Sequence, residues 1–467
     1  MPPSSSTPDA DALFDPVLAH GGVRAVTGDR AWLQAMLDAE AALAGAAADC
    51  GVIERGDADA IAAACDVAGF DAAAIGRDAT ATGNPVVPLV RELTAAVGAP
   101  ADAHVHRGAT SQDVLDSAAM LVARAAVDVI VDDLAAAATA AADLARAHRD
   151  VPMAGRTLLQ QAVPTTFGCR AAGWMTGLDT AVTRLRTIRA TGLPAQLGGA
   201  AGTLAALGDA GPDVATAFAR RLDLVAPVVP WHTIRTPVAE LAGALGTAAG
   251  VCAKVARDIT LLAQTEIGEV SEGVPGRGGS STMPHKHNPV AAVAAVAAAA
   301  AAPGLVATLL SAMVHEHERA AGAWHAEWRP WTQLLRTTGS AAAWLRDSVG
   351  NLEVHTERMR ANLDLTGGLP QAERVTAALT DALGRLTAHD LVGAAADRAL
   401  AEGTDLHTQL AAERDVTDVC PPDELVRLLD PVGATGNAAA LVDRALAHHD
   451  RRVAATSSSS AAVGHTP

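Results

Sequence analysis

The sequence has few of the residues that favour β-strands. Tyrosine is absent, and only four phenylalanines occur among 467 residues, whereas strands are enriched in aromatic and β-branched side chains. Hydrophobic residues still make up 50% of the chain, and the longest helix-compatible segments consist mainly of alanine, leucine, valine and charged residues. Alanine and leucine are strong helix formers. The composition therefore argues against a fold built mainly on sheets and predicts an all-α protein.

Cysteine is scarce, and its spacing excludes a zinc site. The five cysteines form neither a Cys-x-x-Cys pair nor a Cys/His cluster with zinc spacing. We therefore expect buried, reduced thiols in a cytoplasmic protein that holds no metal. The residues concerned are Cys50, Cys65, Cys169, Cys252 and Cys420.

Positive charge is in short supply. The chain has 35 lysines and arginines against 52 aspartates and glutamates, which gives a formal net charge of -17. Nucleic acids and anionic membranes bind proteins through clustered lysines and arginines, so the negative net charge argues against both as partners. A small anionic substrate is still compatible with it, because a few local cations can outweigh the global charge.

Segments for export or membrane insertion are not expected. The first residues, MPPSSSTPDADALFDP, lack a basic region followed by an apolar run. Val290–Ala307 has no polar side chain and just reaches the length of a membrane span. It is mostly alanine, however, and it contains Pro303 and Gly304. Because small apolar side chains on every face also suit the centre of a helix bundle, we interpret it as a core helix.

Three long helices are predicted, over Val114–Asp150, Pro237–Val270 and Val290–Val314. The first has neither glycine nor proline, and the third is expected to kink at Pro303. Helices this long exceed the usual globular length and indicate an elongated bundle. The second helix carries one apolar stripe, formed by Leu241, Leu245, Cys252, Val255, Ile259 and Leu262.

Glycine and proline divide the chain into three predicted helical domains. Residues 1–105 contain shorter helices, residues 106–350 contain the long helices and a glycine-rich loop at 276–289, and residues 351–467 return to shorter helices. The end of the chain, from Ser457 onwards, is predicted to be disordered.

The first of three polar segments is His104–Asp113, just before the first long helix. Thr110 and Ser111 are placed like an N-cap and its neighbour, and the free amides at a helix start favour a carboxylate. A capping motif without any binding role explains the same residues.

The second polar segment is Gly155–Thr166. Its glutamines and threonines, among them Thr157 and Gln160, offer neutral hydrogen bonds, and Arg156 can clamp a carboxylate with two nitrogens. A surface loop between helices is the alternative interpretation.

The third polar segment, Gly276–Pro289, joins two long helices. Its glycines and serines indicate a mobile flap that can close over a substrate and present amides to an oxyanion. A serine here can act as a base only if Lys286, the loop amides and closure lower its pKa. The segment has no phosphate-loop spacing, and a flexible linker is the alternative.

The third segment carries a recognisable motif. Gly279–Pro289 matches the fumarase/aspartase superfamily signature GSSxMPxKxNP at every fixed position, and the other two segments match the superfamily's remaining conserved regions in the same order. The resemblance extends over nearly the whole chain and is greatest to the bacterial 3-carboxy-cis,cis-muconate cycloisomerases. The segments that resemble this branch are Glu40–Ala44, Gln196–Leu204, Trp231–Thr233, Trp324–Trp328 and Asn362–Gly368.

The resemblance implies a cofactor-independent reaction on a small polycarboxylate. Ser280 matches the serine that removes a proton beside a carboxylate, and Lys286 and Asn288 match the residues that hold this carboxylate and its aci-carboxylate intermediate. The resemblance also implies a homotetramer with a 20-helix core, whose active sites combine the three regions from three subunits. The remaining substrate-binding residues that we predict are His106, Thr110, Ser111, Arg156, Thr157, Gln160, Ser281 and Met283.

Two positions depart from the superfamily pattern. Many relatives have a histidine that acts as an acid in the second region and a glutamate that supports it, whereas this chain has Leu158 and Val293. A leaving amine or hydroxide needs a proton, but a carboxylate or nitrite leaves as a stable anion. The branch resemblance therefore predicts interconversion of 3-carboxy-cis,cis-muconate and its lactone, with a nitrosuccinate lyase that releases fumarate and nitrite as the alternative. A catalytically silent relative is a third hypothesis, which the intact loop argues against.

Overall fold

The computed structural model of the protein describes residues 13–280 and 282–463, and it is mostly helical. Within that part of the chain, helices form because long stretches of alanine and leucine are interrupted by few glycines and prolines. Helices α1 to α10 are Asp15–Leu18, Val23–Thr27, Asp29–Asp49, Arg55–Ala64, Ala72–Thr82, Val86–Val97, Ser111–Ala147, Phe167–Thr191, Gly211–Arg221 and Thr236–Leu262. Helices α11 to α20 are Val290–Ala299, Ala302–Ser311, Ala323–Gly350, Thr356–Asp364, Ala372–Leu383, Arg385–Glu402, Leu406–Ala411, Arg414–Thr417, Pro422–Leu429 and Ala438–Val463.

Four short strands accompany the helices in the described residues. They are β1 Pro152–Thr157, β2 Gln160–Thr166, β3 Val270–Glu272 and β4 Leu352–Val354, and they form two separate antiparallel pairs, β1 with β2 and β3 with β4. The predicted all-α class is therefore right for most of the chain and needs correction in these four segments.

The chain folds into two compact units. Unit 1 comprises the chain up to Ala135 with Thr180–Lys254 and Ala294–Leu345, and unit 2 comprises Ala136–Asp179 with Val255–Val293 and the chain from Arg346 onwards. Each boundary between the units falls inside a helix. The division into three consecutive domains remains a prediction.

The long helices agree with the sequence prediction at their centres and differ at some ends. Helix α7 covers 37 residues and begins and ends three residues earlier than predicted. Helix α10 stops at Leu262 instead of Val270, because the chain turns at Gly268, which has a φ of 61°, and the amide of Glu269 bonds back to the carbonyl of Leu262. All six residues of the predicted apolar stripe are buried.

The predicted kink near Pro303 is a complete break. Helix α11 ends at Ala299, and Pro303 lies in the first turn of α12, where its missing N–H and fixed φ cost nothing. By length and composition, Thr236–Leu262 and Val290–Ser311 could cross a membrane, a test that buried helices of soluble proteins also pass. Half of the most apolar window in the first of these segments is buried inside the protein.

Strands β1 and β2 form a hairpin in the second polar segment, where the sequence indicates a loop. Leu158 and Leu159 join the strands, with φ values of 51° and 64°. Two-residue hairpin turns with positive φ usually contain asparagine and glycine, so a Leu-Leu pair gives no recognisable signal. Both side chains are exposed.

The C-terminal part of unit 2 has its own apolar core, built from α15, α16, α17 and α19. Helix α20 then includes Ser457–Ser460, which the sequence predicts to be disordered, since alanines on both sides favour a continued helix. Residues 464–467 lie outside the described part of the chain. In unit 1, α3 packs against α4 and α9.

Candidate active site

The first polar segment forms the start of α7, in unit 1. Ser111 is the first helical residue, and the carboxylate of Asp113 accepts a hydrogen bond from the amide of Thr110 at 3.0 Å. An acidic residue at the third helical position that binds the amide of the N-cap is half of a capping box. The predicted cap position of Thr110 is confirmed, and the backbone of Thr110 and Ser111 is fixed by Asp113.

Asp113 is buried and also holds two other segments. One of its oxygens accepts from the amide of Gly198 at 3.0 Å and lies 2.5 Å from Nε2 of His232, and the other accepts from the amide of Gly199 at 2.9 Å. Hydrogen bonds to a carboxylate are stronger than those between neutral groups. The segments around Gly198 and His232 are therefore tied to the start of α7 through one side chain.

A second buried cluster lies one turn further along α7. Arg235 donates to Asp116 at 2.8 and 3.1 Å and to Glu327 at 2.6 and 3.0 Å, and Trp324 donates to Asp116 at 3.0 Å. Burial opposes ionisation of Asp116, but the guanidinium of Arg235 outweighs it and lowers the pKa of Asp116. Gln112 links the two clusters, because it donates to Asp116 and to the carbonyl of His232.

His106 lies five residues before α7 and adopts a φ of 57°. Its Nδ1 lies 2.7 Å from Oε1 of Glu40, a buried residue of α3. Burial opposes the charged ring, but the hydrogen bond and the charge of Glu40 outweigh it and raise the pKa of His106. The buried carboxylate of Glu40 therefore favours the protonated form of His106.

The second polar segment is the β1–β2 hairpin, in unit 2. Both terminal nitrogens of Arg156 donate to Glu269, at 2.9 and 2.7 Å, and Asn362 donates to the same carboxylate at 2.8 Å. The carboxylate that Arg156 clamps here thus belongs to the protein itself, and a contact between Arg156 and substrate remains a prediction. Thr157 and Gln160 pair at the tip of the hairpin, where both are exposed.

Arg156 also lines a cavity of about 390 Å³ in unit 2. Gln161, Arg170, Asp258 and Asn362 line it as well. Burial lowers the pKa of Arg170, so its guanidinium is held in a poorly solvated place. The cavity carries both charge signs and does not by itself select an anion.

The third polar segment is a closed loop, also in unit 2. The amide and the side-chain nitrogen of Asn288 both donate to the carbonyl of Gly278, at 2.8 and 2.9 Å, and Gly279 pairs with His287. Gly278 has a φ of 81°, and a Cβ there would lie 2.3 Å from the carbonyl oxygen of Asn288. Only glycine therefore fits where the two ends of the loop meet.

Ser280 accepts hydrogen bonds from two backbone amides. Its Oγ lies 3.4 Å from the nitrogen of Thr282 and 3.2 Å from that of Met283. Amides directed at an oxygen stabilise negative charge that develops on it. Lys286 is exposed, and its ammonium has no ion-pair partner among the described residues. Ser281, which we predict to bind substrate, lies outside the described residues.

The predicted site residues thus form three groups. His106, Thr110 and Ser111 lie in unit 1, whereas the hairpin group (Arg156, Thr157 and Gln160) and the loop group lie in unit 2. Within the described residues, no hydrogen bond joins the hairpin group to the loop group. The loop group consists of Ser280, Met283, Lys286 and Asn288.

Three buried carboxylates are the site features to which the sequence analysis assigned no role. Glu40, Asp113 and Asp116 are buried, and each binds a cation or a histidine. A carboxylate within an alanine-rich helix is the signal that could have found them, because charged groups are almost never fully buried without a partner. The structure also shows all five cysteines as free thiols, and the described residues contain no cluster of three metal-ligating side chains.

Comparison with known families shows which family the chain belongs to. Residues 21–304 match a family described as lyase, and residues 368–445 match the adenylosuccinate lyase C-terminus. The chain belongs to this lyase family, which is the fumarase/aspartase superfamily, and it is a lyase or isomerase of that class.

Individual relatives show which enzymes of this family the chain resembles. The chain is 48% identical over 439 residues to 3-carboxy-cis,cis-muconate cycloisomerase of Bradyrhizobium diazoefficiens, which covers 93% of this chain and 97% of the relative. It is 46% identical over 453 residues to nitrosuccinate lyase of Streptomyces davaonensis, with 94% and 95% covered. The crystal structure of the 3-carboxy-cis,cis-muconate lactonizing enzyme of Pseudomonas putida superimposes with a TM-score of 0.89 at 42% identity, over 94% of this chain and 99% of that one.

Proposed function

We propose that the protein is a cycloisomerase that interconverts 3-carboxy-cis,cis-muconate and carboxymuconolactone. The observation that carries this proposal is the 48% identity, over 93% of the chain, to a relative of that name, together with a complete catalytic loop. Fold alone does not imply function, so the proposal also depends on the chemistry of the loop.

In the lactone-opening direction, Ser280 takes the proton from the carbon beside a carboxylate. The amides of Thr282 and Met283 support the ionised serine oxygen. Lys286 and Asn288 hold the carboxylate while it accepts electron density as an enolate-like dianion. The electron pair then forms the double bond, and the lactone C–O bond breaks to release the second carboxylate.

The reaction needs no metal or organic cofactor in this account. The base, the groups that hold the anion and a leaving group that is itself a stable anion supply the chemistry. The other groups that bind substrate are His106, Thr110, Ser111, Arg156, Thr157, Gln160, Ser281 and Met283.

The active enzyme in this proposal is a cytoplasmic homotetramer with a 20-helix core, and each site combines the three regions from three subunits. Exposed apolar side chains on and near α11 and α12 support an assembly, since they would be buried between subunits. Val293 is 53% exposed, Leu310 47% and Val314 80%. Nucleic acids and membranes are not partners in this account.

A nitrosuccinate lyase is the second candidate. The 46% identity to a relative of that name supports it, and so does the presence of Leu158 and Val293 where many relatives have an acid and its partner. Nitrite, like a carboxylate, leaves without needing a proton. The two candidates thus share one site chemistry and differ in substrate.

A paired ultraviolet assay with purified enzyme separates the candidates. One cuvette contains carboxymuconolactone and the other contains nitrosuccinate. Turnover of the lactone that falls by about 10²- to 10⁴-fold in Ser280→Ala supports the proposal, because a positioned base contributes that much. Release of fumarate and nitrite without turnover of the lactone contradicts it and favours the second candidate.

A further inference from the structure

Glu40 is a carboxylate at a core position of α3. It is 1% exposed and follows the buried residue Ala39. One oxygen lies 2.7 Å from Nδ1 of His106, and the other has no hydrogen-bond partner in the described part of the chain. A buried carboxylate without a counter-charge is strongly disfavoured. His106 therefore supplies the polar contact that a carboxylate needs at this buried position.

His106 connects this buried carboxylate to the surface. Its backbone is in the left-handed region, which non-glycine residues adopt uncommonly and often at functional sites. The side chain is 20% exposed. Nδ1 is engaged by Glu40, whereas Nε2 has no hydrogen-bond partner among the described residues. The ring thus has one nitrogen facing the core carboxylate and one nitrogen available for a ligand.

Two acidic groups act on the ring, from the two helices beside it. Glu40 on α3 is in direct contact, and Asp113 on α7 adds a weaker attraction. Asp113 is itself engaged by His232 and by backbone amides. Together the two carboxylates outweigh the burial of the ring and raise the pKa of His106.

We propose that Glu40 is a positioning residue, which holds His106 doubly protonated with its Nε2–H directed to a substrate carboxylate. This inference rests on the proposed function. The proton stays on the ring throughout, so His106 acts as a fixed cationic donor that binds an anion. A charge-assisted hydrogen bond of this kind is about twice as strong as a neutral one.

The arrangement fits a site that lacks the usual acid. With Leu158 and Val293 in place of the acid pair, a cation that neutralises a carboxylate is more useful than a proton donor. Glu40 would supply the cation without touching the substrate. The competing explanation is that Glu40 only anchors the segment around His106 to α3. It predicts that the Glu40 variants lose stability without a change in the charge of His106.

The test measures the charge of His106 directly. Hydrogen–deuterium exchange at the histidine Cε1–H, followed by mass spectrometry across pH, gives the pKa of His106 in the intact protein without substrate. Glu40→Gln keeps the shape of the side chain and removes its charge, so the pKa of His106 is expected to fall by about 1 or more. Glu54→Gln is the matched control, because Glu54 is exposed and makes no capping hydrogen bond; it should leave that pKa unchanged.

Steady-state kinetics supply the second readout, with whichever substrate the wild type converts. For Glu40→Gln, KM is expected to rise about tenfold or more, as for loss of a hydrogen bond to a charged group, with kcat within about twofold. The high-pH limb of kcat/KM is expected to shift to lower pH. Glu40→Asp retains the charge and should restore much of the wild-type KM. If Glu40→Gln does not fold, the wild-type protein carries the test, since a pKa of His106 at or below the ordinary value of 6.5 overturns the inference.

An unchanged pKa of His106 in Glu40→Gln overturns the inference. A lower melting temperature with an unchanged KM overturns it equally, since that is the signature of an anchor alone. Because the exchange measurement needs no substrate, failure of this inference is distinguishable from failure of the proposed reaction.

Discussion

At the scale of single residues, buried carboxylates and their partners hold the segment that contains Thr110 and Ser111. Asp113 and Asp116 are adjacent on α7, three residues apart, and each has its own basic partner, His232 and Arg235. Because both carboxylates are buried, removing one partner leaves an uncompensated charge in the core. The position of Thr110 and Ser111 therefore depends on electrostatic contacts as much as on apolar packing.

Replacing Arg235 tests this dependence. In Arg235→Met, Asp116 and Glu327 lose their shared guanidinium, so the free energy of unfolding is expected to fall by about 3–5 kcal/mol, measured by urea denaturation. Arg189→Met is the control, because its ion pair with Asp128 is exposed and should contribute about 1 kcal/mol or less. Equal losses in the two variants would contradict a dominant buried cluster.

The same cluster has a defined pH dependence. The folded-state pKa of Asp116 is lowered from its ordinary value of 3.8. The pair therefore contributes stability above that value, and the contribution is lost as the pH falls through the folded pKa. In urea denaturation, the difference between the wild type and Arg235→Met should accordingly shrink below pH 3.8. A difference that grows in acid would contradict this account.

At the scale of elements, the shape of the proposed catalytic loop, Gly276–Pro289, depends on one glycine. Gly278 has a positive φ and lies against the backbone of Asn288, so the two ends of the loop meet only without a side chain there. In Gly278→Ala the two ends of the loop must separate, and kcat/KM is expected to fall by at least about tenfold. The reason is that a displacement of catalytic groups by about 1 Å can lower the reaction rate by about a hundredfold. The melting temperature should change little, since the loop is exposed.

Gly276→Ala is the matched control for this loop. Gly276 also has a positive φ, of 78°, but nothing lies within 4 Å of a Cβ built there. Gly276→Ala therefore has the free-energy cost of a positive φ at a residue with a side chain, but no steric clash. If both variants lose the same activity, the contact between Gly278 and Asn288 is not what shapes the loop.

The long helices and the loop motif could be predicted from the sequence, and the contacts between distant segments could not. A stretch without glycine or proline predicted α7, an apolar stripe predicted most of α10, and the loop residues follow from a motif of fixed spacing. The hairpin was missed because Leu158 and Leu159 occupy a turn that usually needs asparagine and glycine. Glu40 and His106 are 66 residues apart, and no periodic pattern relates them.

At the scale of the whole molecule, we propose that each site is shared between subunits. Within unit 2, no hydrogen bond joins the hairpin group to the loop group in the part of the chain that the structure describes. Apolar side chains near α11 and α12 remain exposed in the single chain. The proposed closed homo-oligomer would account for both observations, because symmetry repeats each group in every subunit.

Mixed oligomers test this sharing. Two variants are mixed: Ser280→Ala, and the double variant Thr157→Ala/Gln160→Ala. Each is expected to be nearly inactive alone. If the loop and the hairpin come from different subunits, random mixing leaves about a quarter of the sites with both wild-type regions, so the mixture should regain activity. Light scattering on the same samples should give four copies. A mixture as inactive as its parents would place both regions in one subunit.

The most direct measurement is the fate of hydrogen when the enzyme runs in D₂O. Proton NMR of the lactone formed from 3-carboxy-cis,cis-muconate should show one deuterium at the carbon beside the carboxylate, because Ser280 returns a solvent-derived proton there. Ser280→Ala should form almost no labelled lactone in the same time. Conversion of carboxymuconate without deuterium at that carbon, or at an undiminished rate in Ser280→Ala, would contradict the account.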